Sequence, residues 1–281
     1  MSNCDSCSSS SNCNNKEACS KTLPKYGEIK HIVGVISGKG GVGKSTTTAL
    51  LAAELSKAGY KVGILDGDIT GPSIPRIFGI NSRRAEIVQL ENNEEVKFIP
   101  IETELGIKVI SLNLLTEIEE EPVIWRGPVV TGVLTQMYSD TVWGNLDFLL
   151  IDMPPGTGDI ALTVMQSLPV EGMLVVSTPQ DMVSMIVKKV IIMSEKLNIP
   201  VLGVVENMSY VSCGKCGEKI RIFSKKSAEE QAEYLGVTLT FEMPINLELV
   251  DHMENGYFER YLKDADEYSN LKENFLNSIN I

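Results

Sequence analysis

No apolar run in this 281-residue sequence approaches the roughly 20 residues that a helix needs to cross a bilayer, so a helical membrane span is not expected. The first 25 residues hold no apolar stretch, so they lack the core of a secretory signal, and the cytoplasm is the expected compartment. Positive charge is also scarce. The chain has 25 Lys and Arg against 37 Asp and Glu, a formal net charge of −12. That balance counts against nucleic acid and anionic membrane as partners, because both require clustered Lys and Arg. No internal repeat is present. The six cysteines are not expected to form disulfides in a reducing compartment, where such clusters are metal ligands or redox groups.

What remains reads as one α/β domain over residues 26–281 behind a short arm. The arm, residues 1–25, is rich in Ser, Asn and Cys and cannot bury a core, so it is expected to be unfolded unless a metal organises it. From Ile29 onward, apolar strand-like runs alternate with helical patterns. Strands are expected at Ile32–Ser37, Lys61–Leu65, Ile107–Leu112, Phe148–Asp152, Gly172–Ser177, Val201–Glu206 and Leu239–Phe241. Helices are expected near Thr46–Lys57, Val129–Tyr138, Ile160–Leu168, Val183–Leu197 and Ser227–Leu235, with a helical, acidic C-terminal segment from Asp251. Asn81–Glu104 reads as an irregular insertion, a candidate hairpin. Continuous apolar strands joined by crossover helices imply a mostly parallel sheet with helices on both faces, the three-layer α/β/α arrangement of a P-loop NTPase.

The strongest motif is Gly38-Lys39-Gly40-Gly41-Val42-Gly43-Lys44-Ser45-Thr46. It fits the Walker spacing and lies between an apolar strand and a helix, where its mechanism needs it. Glycines let backbone N–H groups turn toward phosphate oxygens, and the helix adds its positive dipole end. Lys44 is expected to reach the β- and γ-phosphates, and Ser45 to offer its hydroxyl to Mg²⁺.

Three carboxyls complete the expected site. Asp66 and Asp68 follow one strand in Asp-Gly-Asp-Ile-Thr-Gly-Pro-Ser, and Asp152 closes another in Asp-Met-Pro-Pro-Gly-Thr-Gly-Asp. Strand C-terminal ends face the crevice where ligands bind in open α/β sheets. Asp66 and Asp152 are read as supporting the Mg²⁺ shell and Asp68 as orienting the attacking water, with Asp66 and Asp68 interchangeable. Gly156 is expected to bring its N–H to the γ-phosphate, and Asp159 is read as a helix cap or loop residue. Asn207, placed just after a strand, either meets a purine edge or bonds its own backbone.

Cys213-Gly-Lys-Cys216 spaces two thiols as a knuckle for one metal or cluster, but zinc and 4Fe–4S centres usually take four ligands. The missing pair can come from the arm or from a second subunit, or the two thiols can act as a redox dithiol. The arm's Cys4, Cys7, Cys13 and Cys19 form a candidate second cluster site whose spacing matches neither standard ferredoxin run.

The run Lys-Gly-Gly-Val-Gly-Lys-Ser-Thr resembles the deviant Walker motif of the MinD/ParA and nitrogenase iron-protein class. Together with the two aspartate motifs, Trp125-Arg126-Gly127-Pro128, Glu206-Asn207-Met208-Ser209, the Cys213/Cys216 pair and Met243-Pro244-Ile245, it makes residues Ile29–Asn255 resemble the Mrp group of iron–sulfur cluster carrier ATPases. The resemblance implies a homodimer in which Lys39 reaches the partner's ATP and paired Cys213/Cys216 knuckles share a labile 4Fe–4S cluster. It further implies slow ATP hydrolysis and delivery of the cluster to apo iron–sulfur proteins. Two positions depart from the group. Cys4 lies too near the start for the further cysteine that precedes the close pair in the eukaryotic scaffold, and Gly214 stands where many relatives carry Pro. A MinD-like positioning ATPase is the main alternative, but the tail mixes Glu259, Asp264, Asp266, Glu267 and Glu273 with only Arg260, Lys263 and Lys272. A zinc-stapled nucleotide switch is another.

Overall fold

The computed structural model describes residues 21–69, 71–89, 95–116, 127–263 and 265–281. The expected cysteine arm site at Cys4, Cys7, Cys13 and Cys19, and Trp125 and Arg126, lie outside the described residues.

The expected sheet is present. β1 (Tyr26–Ser37) lies at its centre, flanked by β7 (Val142–Asp152) and β8 (Gly172–Ser177), both parallel to it. Beyond β7 come β2 (Val62–Asp66), β6 (Lys108–Ile110) and β5 (Ile101–Glu102), and beyond β8 come β9 (Val201–Ser212) and β10 (Lys219–Ile220). β11 (Leu239–Pro244) pairs in parallel with β9, and only the edge strands β5 and β10 run antiparallel. The buried strands are near-continuous apolar runs. β2 and β8 are buried at every position, as parallel strands covered on both faces must be.

The insertion is a hairpin, β3 (Glu86–Gln89) against β4 (Val96–Ile99). Helices α1 (Lys44–Lys57), α3 (Gly127–Ser139), α4 (Asp159–Ser167), α5 (Asp181–Lys196) and α6 (Ala228–Leu235) follow the expected segments, with a short α2 (Ile74–Ile77) after β2 and α7 (Leu247–Glu254) and α8 (Phe258–Lys263) in the C-terminal part. α1 is buried from Thr47 through Leu55, because it is wedged between the sheet and the C-terminal helix α9 (Ser269–Ser278). Asp159 opens α4, where a carboxylate complements the helix dipole.

One boundary differs in a way that matters. The strand expected to stop at Glu206 continues to Ser212. It does so through an irregularity. Glu242 pairs with Glu206, but Pro244 pairs with Tyr210, so the register slips between them. Met208, inside the slip, has φ of 56°, a left-handed conformation that a non-glycine residue adopts at a cost. Periodicity sees only that the apolar run ends; it cannot see a bulged strand carrying on with polar residues.

Candidate functional site

The sheet register brings the two strand-end aspartates together. Asp66 closes β2 and Asp152 closes β7, and they are paired neighbours across those strands. Val35 of β1 pairs with Asp152 from the other side, so the loop leaving β1 passes directly over the pair. Gly43 sits at φ 85° as the residue before α1, and Lys44 and Ser45 begin the helix there.

Lys44 is only 6% exposed and its Nζ lies 2.8 Å from Asp152 Oδ2 and 3.6 Å from Asp68 Oδ2. The Ser45 hydroxyl donates to the same Asp152 oxygen, and Thr48 Oγ1 donates to the other at 2.9 Å. Ser111 Oγ donates to Asp66 Oδ2 at 3.1 Å. Asp68 N donates to Asp66 Oδ1 at 3.3 Å. Burial and the adjacent Asp152 push the Asp66 carboxyl up to about 8, against the pull of Lys44. Three carboxyls and one ammonium in a buried pocket leave an excess of negative charge for a cation to offset.

The donor set is all oxygen, which fits a hard divalent ion such as Mg²⁺. Among the described residues no group of three or more His, Cys, Asp or Glu is arranged to hold a metal ion alone. Mg²⁺ here would therefore lean on phosphate oxygens and water, its usual habit.

Lys39 lies outside this pocket. Its Nζ donates to Gln180 Oε1 at 3.0 Å, and its carbonyl accepts from Ser37 Oγ at 2.9 Å. Gly156, at φ 85°, donates its N–H to the Ser37 carbonyl at 2.7 Å. It thus lies against the start of the phosphate loop, with its expected N–H engaged by backbone. Asn207 is buried and bonds the adjacent backbone, its Oδ1 accepting from Met208 N at 2.8 Å. It also does something the sequence does not reveal: Nδ2 donates to the Val42 carbonyl at 2.9 Å. A Cβ at Gly43 would lie 2.0 Å from that same Nδ2, so only glycine lets the loop and the amide approach so closely.

The knuckle hangs from the far end of β9. Cys213 N donates to Glu218 O, and Gly217, at φ 73°, donates to Cys213 O, both at 2.9 Å. That turn sends the chain back as β10 against Val211 and Ser212. Cys213 is half-buried and Cys216 exposed. The backbone N–H groups of Lys215 and Cys216 hold the Cys213 thiol below its ordinary range, helped by the Cys216 side chain. A thiol biased toward thiolate is the ligating form. Among the described residues, the knuckle's two sulfurs are the thiols offered here.

Between the two sites lies a polar cluster absent from the sequence reading. Glu242 on β11 accepts from Lys219 Nζ at 2.7 Å and from Arg221. Arg221 also donates to Ser209 Oγ at 2.9 Å. Ser209 Oγ lies 2.8 Å from Glu206 Oε1 and 2.7 Å from Glu242 Oε1. One hydroxyl proton cannot serve two carboxylates. Burial raises the Glu206 carboxyl, and a proton there would donate to Ser209 and complete the network.

Residues 28–280 match the family described as ParA: NUBPL iron-transfer P-loop NTPase. The iron–sulfur cluster carrier protein of Clostridium perfringens is 58% identical over 97% of this chain and 99% of its own length. The carrier protein of Methanocaldococcus jannaschii is 41% identical over 90% and 87%. A nucleotide-binding protein of Archaeoglobus fulgidus solved in complex with ADP superposes with a TM-score of 0.71 at 41% identity, covering 83% of this chain and 89% of that one. MinD from the MinC:MinD complex of Aquifex aeolicus gives 0.62 at 20% identity over 89% and 96%, a likeness of fold alone. The chain belongs to the ParA/NUBPL family of iron-transfer P-loop NTPases.

Proposed function

We propose that the chain is an ATP-dependent carrier that binds a labile 4Fe–4S cluster and delivers it to apo iron–sulfur proteins in the cytoplasm. The observation that carries this reading is the mismatch between the two sites on one sheet. At the nucleotide site Lys44, Ser45 and the strand-end aspartates already stand together within one chain, whereas Cys213 and Cys216 supply half of a four-thiolate cluster site. A homodimer placing two knuckles on a two-fold axis supplies the other half. The cluster is cargo, held by thiolates that remain open to solvent and so can exchange it. The four cysteines of the arm are proposed as a second holding site.

At the phosphate loop, backbone from Gly38 to Thr46 cradles the phosphates, with Lys44 on the β- and γ-phosphates. Ser45 would hold Mg²⁺ directly, and Asp66 and Asp152 would hold it through water; the ion supplies charge neutralisation of the phosphates. Lys44 reaches phosphate only by loosening its contact with Asp152, so nucleotide binding exchanges one charged partner for another. Asp68, half-buried at the rim and 3.6 Å from Lys44, is placed to orient the attacking water. Lys39 leaves Gln180 to reach the partner's nucleotide. Asn207 fixes the loop through Val42, and its second amide proton remains available to a purine. Hydrolysis by this arrangement is positional and electrostatic.

The test is anaerobic reconstitution with iron and sulfide, followed by transfer to an apo-enzyme. In a chain whose four arm cysteines are replaced by serine, a 4Fe–4S absorbance is expected, and it is lost when Cys213→Ala or Cys216→Ala is added. Full cluster content and transfer in both variants would overturn the proposal.

A further inference from the structure

We infer that Arg221, bound to Glu242 and Ser209, is a positioning residue that transmits the state of the phosphate loop to the Cys213/Cys216 knuckle. The inference rests on the carrier reading above and adds the route by which nucleotide and cargo sites communicate.

Two contacts leave the phosphate-loop region toward this side of the sheet. Asn207 Nδ2 holds the Val42 carbonyl from β9, and Thr47 Oγ1 of α1 lies 3.8 Å from Met243 Sδ of β11. Both ends are tight. Gly43 has no room for a Cβ beside the Asn207 amide, and Thr47 and Met243 are fully buried. Packed groups of this kind move together rather than deform independently. A displacement of the loop on gripping phosphate is therefore imposed on Asn207 and Met243.

One residue away from each stand the two carboxyls of the polar cluster, Glu206 beside Asn207 and Glu242 beside Met243. The register slip lies between Glu206 and Tyr210 and holds the left-handed Met208, so the strand has a joint there rather than a continuous ladder. Beyond the joint, the knuckle hairpin returns through Lys219 and Arg221. Lys219 is half exposed and stacks over Tyr210 as well as pairing with Glu242. Arg221 is mostly enclosed, and a single guanidinium nitrogen touches both Ser209 and Glu242. It thus hydrogen-bonds both strands through one nitrogen, whereas the Lys219 side chain meets β9 only by stacking over Tyr210. Through it, relative motion of β9 and β11 at the joint is passed to the segment that closes the knuckle turn. No other side-chain hydrogen bond among those described ties residues 213–222 to the sheet except that of Lys219.

The test reads the thiols themselves, without iron. Full-length, reduced, metal-free protein is alkylated with N-ethylmaleimide, with and without a non-hydrolysable Mg-ATP analogue, and Cys213 and Cys216 are quantified by peptide mass spectrometry. In the wild type the analogue is expected to change the rate at the knuckle by about fivefold or more, the scale of ordinary intersite coupling. In Arg221→Gln the analogue binds as in the wild type but the rate ratio falls to about one, and Arg221→Lys restores part of the response. Glu242→Gln, which keeps volume and the Ser209 contact, serves as the second variant if Arg221→Gln does not fold, with the same expected loss. A wild-type response retained in a folded variant overturns the inference, as does a wild-type knuckle indifferent to nucleotide. Cluster loading and transfer by the wild type are measured in parallel. Their failure would overturn the carrier reading, whereas the alkylation ratios judge the relay alone.

Discussion

At the phosphate loop, Lys44 is buried against Asp152, which also takes the hydroxyls of Ser45 and Thr48. At the knuckle, Cys216 stands in solvent and Cys213 is held chiefly by backbone N–H groups. The first site is assembled from four strands and one helix, so its geometry is fixed by the core of the sheet. The second is the turn over residues 213–218 at a sheet edge, fixed by its own backbone and by Arg221 and Lys219 behind it. The difference teaches that a site built to hold small charged groups in place is enclosed, whereas one built to pass its contents on is left open and incomplete. On the proposed reading, stability and catalysis reside at the first site, and capacity and exchange at the second.

The comparison breaks most readily at Lys44. Lys44→Ala is expected to lower ATP hydrolysis by about a hundredfold or more. It should also destabilise the fold by roughly 3–5 kcal/mol, because it strands buried carboxyls that lose their counter-charge. Phosphate release and urea denaturation check the two effects; unchanged turnover would remove Lys44 from the site. Cys213→Ala and Cys216→Ala should abolish the cluster at the knuckle yet shift stability by no more than about 0.5 kcal/mol, measured in the same denaturation series. A large loss of stability would mean that the knuckle is structural.

A third effect is a pH dependence confined to the enclosed site. The Asp66 carboxyl is raised from 3.8 to about 8, so the folded chain holds that proton more tightly than the unfolded one. Its contribution is fully present below about pH 4 and is lost as pH rises toward 8. Stability without Mg²⁺ should therefore decline across that window through this group, and Asp66→Asn should flatten the decline. A profile identical in the variant would contradict the assignment. The smallest expected effect is at the open site. Cys213, held below its ordinary range, should react with maleimide faster than Cys216 near pH 7.5 in the absence of nucleotide, by a few-fold. Equal rates would show that the backbone N–H groups do not bias it.

Much of the enclosed site was legible in the sequence because its residues are adjacent or sit at strand ends. Gly38–Thr46 declares itself by spacing, and Asp66, Asp68 and Asp152 follow apolar runs. Thr48 is one helical turn past Lys44, so its approach to Asp152 was within reach of the same logic. Ser111 and Gln180 were not, since their contacts depend on the order of parallel strands, which no local pattern records. The continuation of β9 was hidden for a related reason. Past Asn207 the strand loses its apolar signature and is held by partners from β10 and β11, distant in sequence. The Arg221–Glu242–Ser209 cluster joins three segments that share no motif. The cysteine pair is visible in sequence, but its exposure comes only from the fold.

The central claim is that the knuckle is half of a cargo site completed by a second copy of the chain. It is tested most directly by native mass spectrometry after anaerobic reconstitution. The chain used has Cys4, Cys7, Cys13 and Cys19 replaced by serine, so that only Cys213 and Cys216 can bind. The account predicts a dimer carrying one 4Fe–4S cluster. A monomer that holds a whole cluster, or a dimer that holds one in each subunit, would contradict it.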